Sequence, residues 1–373
     1  MPRSSPLTVS ALVAAAASGH VLYPAWLALV SRSRPRPTPP EPAEWPPVTV
    51  LVPAYREAGG IAAKIDDVRA NGYPGPLDVL VVADGDPDTA ARAEEAGATV
   101  LSAPGRLGKS QALNLGFSKV ATPIVVLSDA NNRLAPGAIA ALVAWFEDPR
   151  VGAAAGEKVE EDEGGEDLYW RFESWLKQRE WRLGTTIGLV GELAAVRTDA
   201  WRPIPPDIAV DDLWTALDLS ARGFAIAYEP RARAIEPPHA TLAQQWERRT
   251  RSVAGALHIF RRCRRQLGPG GGTAAAQIWG HRLARYTVSP FAHVVLLGLA
   301  LRRLPSSWLA RAFVSGHVVG AWALWRRASD DKARPSLPAT ALGHALFLQG
   351  VALGGVVRYL RGDRPTKWPT VAR

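Results

Sequence analysis

Apolar and polar positions divide the chain into an apolar front, an alternating middle and an apolar rear. Residues 7–30 (LTVSALVAAAASGHVLYPAWLALV) carry no charge, and a helix of that length is enough to cross a bilayer. A secretory signal is the rival reading of an Ala-rich run at this position. The run outlasts a signal core of roughly 7–15 residues and SRSRPRP follows it, which favours an uncleaved anchor. Arg32, Arg34 and Arg36 would hold its C-terminal end on the cytoplasmic side. At the rear, apolar runs at 286–301, 305–325 and 337–357 are separated by Leu-Arg-Arg and Trp-Arg-Arg. Each alone fits a buried helix; together they predict two to three membrane helices, one of them re-entrant or interfacial.

The middle alternates short β-rich runs with helical stretches. Residues 34–47 hold seven prolines and predict an extended linker. VTVLVP (48–53), DVLVVA (78–83), ATVLS (98–102) and PIVVLS (123–128) predict strands. The stretches near 58–71, 88–97 and 109–120 predict helices between them. That alternation predicts an α/β domain with a Rossmann-like, mostly parallel, doubly wound sheet. Farther on, Leu168, Phe172, Trp175, Leu176 and Leu183 fall on one face of a helix within 167–183, read as core packing. EKVEEDEGGED (157–167) reads as a solvated acidic loop without chemistry.

Composition sharpens this division. At 47% hydrophobic and 21% charged, the chain is neither disordered nor collagen-like, and the single cysteine, Cys263, excludes an internal disulfide framework. The net charge of +9 is unevenly spread: residues 1–235 hold 23 Lys+Arg against 30 Asp+Glu, and residues 236–373 hold 21 against 5. A basic rear can bind nucleic acid. Here its arginines flank apolar runs, so membrane lipids are the expected partner and nucleic acid is not.

Ligands of a doubly wound sheet sit beyond the carboxyl ends of its strands. There the sequence places Pro53-Ala54-Tyr55-Arg56-Glu57, then Asp84-Gly85-Asp86-Pro87-Asp88, then Asp129-Ala130-Asn131. Asp and Gly at any one of these sites could simply make a turn or cap a helix. Gathered at one sheet edge, the acids could hold a metal–diphosphate. No G-x-G-x-x-G or P-loop lysine is present, which disfavours dinucleotide binding and ATP hydrolysis.

Five segments in this order and spacing, V-T-V-L-V-P-A-Y-R-E, V-V-A-D-G-D-P-D-T, L-G-K-S-Q-A-L-N, L-S-D-A-N and V-D-D-L-W-T-A-L-D-L-S-A-R-G, resemble a family 2 glycosyltransferase of the membrane-bound branch over about residues 48–260. The resemblance implies a GT-A fold, a nucleotide-sugar donor, a UDP-sugar before others, Mg²⁺ or Mn²⁺, and inversion at the anomeric carbon. It places Pro53, Tyr55, Glu57 and Asp84 at the nucleotide, with Ala83 where the family has a further aspartate. It places Lys109 and Asn114 beside the diphosphate, where an ammonium can offset phosphate charge. Asp129 and Asn131 match the metal-binding D-x-D, with Asn131 supplying oxygen but no charge. Asp211 and Asp212 open a helix predicted to end at Gly223; Asp212 is the implied general base and Asp211 lies on the acceptor side. Arg249 and Arg251 match the region that reaches the diphosphate, or else belong to a basic interfacial helix; Ser252 stands where processive synthases carry tryptophan.

The resulting organisation is a membrane anchor (1–33), a linker (34–47), a cytosolic GT-A catalytic domain (48–240), a basic amphipathic region (241–285), and C-terminal membrane helices with a basic tail (286–373). The expected activity is sugar transfer to a hydroxyl of a lipid-linked or short saccharide acceptor by a multi-pass protein of the cell membrane. A processive polysaccharide synthase subunit and a degenerate non-catalytic membrane scaffold are the alternatives.

Overall fold

The structure, a computed structural model, describes residues 6–160, 165–236, 241–268, 271–330 and 335–363, leaving out the side chains of Glu160 and of residues 165–168. Its contacts divide into two compact units: residues 31–238 with 262–274 form one, and residues up to 30, 239–261 and 275–364 form the other.

The first unit is built on eight strands: β1 (Val48–Ala54), β2 (Leu77–Ala83), β3 (Thr99–Ser102), β4 (Ile124–Ser128), β5 (Arg133–Leu134), β6 (Val151–Glu160), β7 (Leu193–Arg197) and β8 (Ala225–Glu236). They form one sheet in the order β3-β2-β1-β4-β7-β6-β8-β5. The half β3-β2-β1-β4 is parallel, as the alternation predicts, and its valine-rich strands are buried on both faces. Pro53 lies beyond the rungs that β1 shares with β4, so its missing N–H interrupts no bond on that side. In the other half β7 runs antiparallel to both β4 and β6, whereas β6 and β8 are parallel with register shifts.

Two expectations change here. The segment 157–167, read as an acidic loop, begins inside β6 and ends inside the helix Gly165–Trp181, and 161–164 lie outside the described residues. Alternation turns Lys158 into the sheet, where Glu192 and Glu236 pair it at 3.0 and 2.7 Å, so charge is buried with its partners. The helix Gly165–Trp181 buries Glu173, Leu176, Lys177, Glu180 and Trp181, while Phe172 and Trp175 are half-buried and the side chain of Leu168 is among those not described. The apolar stripe misreads the inner face because that face is polar. Lys177 approaches Glu157 at 3.6 Å, and Glu180 accepts a hydrogen bond from Thr186 Oγ1 at 2.6 Å.

The second unit is helical. Pro6–Val30, Gly272–Arg303 and Leu337–Leu360 are long and apolar enough to cross a membrane, one before the α/β unit in sequence and two after it. The helix Trp308–Ser329, which carries Arg311, Arg326 and Arg327, is not one of these three. Small residues set the close approaches, as in membrane helix packing: a Cβ on Gly343 would lie 3.1 Å from the Gly320 carbonyl oxygen. Trp308 and Trp325 stay well exposed near the two ends of their helix, the position of interfacial aromatics. The basic helix Leu242–Arg262 packs against Leu337–Leu360, with Trp246 and Thr250 facing Gly354.

Candidate functional site

The loops beyond the strands of the parallel half hold one another in place. After β1, Arg56 adopts φ +58, a conformation rare outside glycine and costly by about 1–2 kcal/mol. Its N–H donates to Asp86 Oδ2 at 2.6 Å, and Glu57 N–H donates to Thr89 Oγ1 at 2.9 Å, so the β2 loop fixes the β1 loop. The guanidinium of Arg106 stacks 4.2 Å from the centroid of the Tyr55 ring. Tyr55, Arg56, Gly85, Asp86 and Asp88 line an open cleft of about 480 Å³.

Asp84 is turned toward the next loop. Its two oxygens accept the N–H groups of Leu107 at 2.6 Å and Gly108 at 2.9 Å, which sets the start of the helix Lys109–Phe117. Gly85, at φ +71, lies so close to this loop that a Cβ would stand 2.5 Å from the Gly105 carbonyl carbon. Gly85→Ala is expected to destabilise the domain by more than about 1–2 kcal/mol through backbone strain alone. Thermal melting checks this effect.

The helix Lys109–Phe117 carries site residues on two faces. Asn114 is committed to the loop 201–208: its Nδ2 donates to Ile204 O at 2.8 Å and its Oδ1 accepts from Ile204 N at 2.8 Å. Ser110 Oγ donates to Ile208 O at 3.1 Å, and Phe117 stacks on Trp201 with ring centroids 3.8 Å apart. This loop leads directly into the helix Asp211–Ala221, which ends before Gly223 at φ +85 as the sequence predicts. The K-S-Q-A-L-N segment thus positions the paired aspartates as well as presenting Lys109.

Lys109 stands at the centre. Its Nζ donates to Asp129 Oδ1 at 2.6 Å and to the Gly191 carbonyl at 3.0 Å, and lies 4.0 Å from Asp211 Oδ2. A Cβ on Gly191 would lie 3.4 Å from Lys109 Nζ and 3.8 Å from Asp212 Cβ, so Asp129, Asp211 and Asp212 share one cleft around this lysine. An ammonium at a helix N-terminus opposes the dipole, and here the carboxylates outweigh that cost. Burial alone would lower the Lys109 ammonium, but Asp129, Asp211 and Glu192 together hold it above its usual value. Burial also raises the Asp129 carboxyl, to about 6; Glu192 and Glu236 push the same way while Lys109 pulls back. The Asp129 shift is led by burial, whereas the Lys109 shift comes from the carboxylates that surround it.

The turn after Asp129 is fixed from below. Asn132 Nδ2 donates to Glu192 O at 2.8 Å, and its Oδ1 accepts from Lys64 Nζ at 2.7 Å. Burial pushes the Lys64 ammonium down to about 8, against the pull of Asp67. Asn131 is half-buried in the same turn. Among the described residues no group of three or more His, Cys, Asp or Glu is arranged to hold a metal, so a cation here would need ligands beyond the protein carboxylates. Arg249 and Arg251 lie in the helix Leu242–Arg262 of the second unit, where Arg251 is buried. Sequence reasoning did not single out Glu192, Lys158 or Glu236. The signals available were Gly-Glu before the apolar run of β7 and the alternation of Glu157-Lys158-Val159.

Known proteins resemble this chain in sequence and in fold. Residues 49–201 match the family model described as glycosyl transferase family 2. An N-acetylglucosaminyltransferase of Mesorhizobium japonicum is 27% identical over 257 residues, covering 60% of this chain and 60% of the relative. Another of the same name from Rhizobium sp. (strain N33) is 27% identical over 218 residues, covering 51% of this chain and 48% of its own. The alignment thus spans about half to three fifths of these relatives. The structure of the mannosyltransferase PcManGT from Pyrobaculum calidifontis, in complex with GDP-Man and Mn²⁺, matches with a TM-score of 0.74 at 25% identity, covering 95% of this chain and 98% of that one. Residues 49–201 thus resemble glycosyl transferase family 2 in sequence, and the α/β unit has a GT-A fold similar to that of PcManGT.

Proposed function

We propose that the chain transfers a glycosyl group from a nucleotide diphosphate sugar to an acceptor hydroxyl in one displacement that inverts the anomeric carbon. The observation that carries this reading is the convergence of Asp129, Asp211 and Asp212 on Lys109 and Gly191. Asp212 is the general base: it takes the hydroxyl proton as the acceptor oxygen bonds to the anomeric carbon. The bond from that carbon to the diphosphate oxygen breaks, and the electron pair leaves with the diphosphate. Lys109 supplies a fixed positive charge beside the departing group, and Tyr55, Glu57 and Asp84 belong to the nucleotide end.

The site chemistry fits a hard divalent cation. Its donors are oxygens, its carboxylates outnumber its cations, and Mg²⁺ or Mn²⁺ at such sites uses one or two carboxylates plus phosphate oxygens. Asp129, with Asn131 as a neutral neighbour, would hold it, and when bound it adds charge against the leaving diphosphate. The apolar helices favour a lipid-linked or short saccharide acceptor at a membrane, with the α/β domain on the cytosolic side. Ser252, in place of tryptophan, favours addition of one or few sugars over a long polymer.

UDP is the nucleotide that the family resemblance implies, and PcManGT was solved with GDP-Man, so the test uses both. The purified full-length protein in lipid nanodiscs, given Mn²⁺ and a panel of UDP- and GDP-sugars, should consume one donor. Mass spectrometry of the glycolipid and NMR of the new linkage should show a single inverted sugar. Absence of both turnover and nucleoside diphosphate binding under these conditions would overturn the proposal and favour the scaffold alternative.

A further inference from the structure

We propose that Glu192 supplies the second carboxylate of the divalent-cation site, the charge that Asp129-Ala130-Asn131 lacks, and that the buried Lys158 is its positioning residue. The inference rests on the glycosyl-transfer reading above and concerns how this chain completes that site.

β4 and β7 are antiparallel with Ser128 opposite Leu193. The ladder runs one step farther, because Asp129 N–H donates to Glu192 O at 3.4 Å. Asp129 and Glu192 therefore occupy the same rung, and side chains on one rung leave the same face with Cβ atoms about 4.5–5.5 Å apart. Like charges so placed repel, and the sheet keeps them by adding a lysine on each side. Lys109 pairs with Asp129 at 2.6 Å, and Lys158 pairs with Glu192 at 3.0 Å and with Glu236 at 2.7 Å. Asp129, Glu192, Lys158 and Glu236 thus form a charged row across the adjacent strands β4, β7, β6 and β8.

Exposure separates the roles along this row. Lys158 is fully buried, whereas Glu192 keeps 19% of its side chain exposed. Its Oε1 is oriented by Lys158 at 3.0 Å, which fixes the carboxylate that we assign as the ligand. A carboxylate that ligates a metal through one oxygen is commonly held through a hydrogen bond of this kind, and losing such a partner typically costs about 10–100-fold in metal affinity. The backbone is fixed too, since Asn132 Nδ2 donates to Glu192 O at 2.8 Å.

The test is Mn²⁺ binding by electron paramagnetic resonance on the full-length protein with saturating UDP or GDP. Glu192→Gln should raise the Mn²⁺ dissociation constant about tenfold or more, and Asn131→Asp in that background should recover most of the loss. Lys158→Met should weaken Mn²⁺ binding, and Lys158→Arg should restore it. A folded Glu192→Gln protein that binds Mn²⁺ like the wild type overturns the inference, as does a loss that Asn131→Asp fails to recover. Should Glu192→Gln not fold, Asn131→Asp alone should tighten Mn²⁺ binding, and an unchanged affinity overturns the inference. A wild type that binds neither Mn²⁺ nor nucleotide overturns the glycosyl-transfer reading itself, a separate outcome.

Discussion

Asp212→Asn is expected to lower turnover by about 10²–10⁴-fold and to leave donor affinity close to that of the wild type. The substitution is isosteric, and the geometry indicates what it spares. Asp212 Oδ1 accepts the Leu213 N–H at 2.7 Å in the first turn of the helix Asp211–Ala221, and an asparagine carbonyl can accept the same bond. The helix start, the contacts of the 201–208 loop and the ion pairs of Lys109 all survive. What is lost is a group able to take the acceptor proton. Asp211→Asn should behave differently, because Asp211 is buried and 4.0 Å from Lys109 and its charge compensates that ammonium. Its effect should fall on stability and on donor binding. Single-turnover kinetics with a separate nucleotide titration divide the two, since only loss of a transition-state interaction lowers kcat at unchanged affinity. A Asp212→Asn protein that keeps its turnover would remove Asp212 from the role of base.

The legible parts of the fold were those set by local patterns. The parallel half appeared as valine-rich runs alternating with helices, and all four of its strands lie within a residue or so of their sequence positions. Capping chemistry located the helix Asp211–Ala221 and Gly223 after it. The antiparallel half was not legible, because its strands pair across long sequence distances. β6 carries Glu157 and Lys158 in a position where pattern reasoning demands a loop, and their burial depends on Glu192 and Tyr228 far along the chain. The polar inner face of Gly165–Trp181 was hidden for the same reason. In the site, Tyr55, Glu57, Asp84 and Asp129 lie just beyond the ends of β1, β2 and β4, where a doubly wound sheet places ligands, whereas Arg249 and Arg251 lie in the second unit. Their connections could not be read from a motif. Asn114 grips the loop before Asp211, and Asp84 grips the loop before Lys109, because those contacts depend on how separate loops meet in space.

Lys109→Met should destabilise the α/β domain by about 3–5 kcal/mol at neutral pH, the cost of removing one partner from a buried ion cluster. Asp129, Asp211 and Glu192, with side chains 16%, 10% and 19% exposed, would then lose the ammonium among them. The pH dependence follows from Asp129. Its carboxyl stands at about 6 in the folded wild type against 3.8 for a free side chain, so between those values the native state binds more protons than the unfolded one. This contribution therefore makes stability fall as pH rises through that window. Without Lys109 the folded carboxyl moves higher still, and the decline extends above pH 6 toward neutrality. Mn²⁺ takes the place of the missing cation, so its addition should raise the melting temperature of the variant, by an amount set by the metal concentration relative to its dissociation constant. Donor turnover should nevertheless stay about 10²–10³-fold down, since a metal ion does not replace a preorganised donor at the leaving group. Scanning fluorimetry from pH 5 to 8, with and without Mn²⁺, reads these effects together. A variant whose melting temperature is unchanged, or rises from pH 6 to 8, would show that Lys109 does not neutralise this carboxylate cluster.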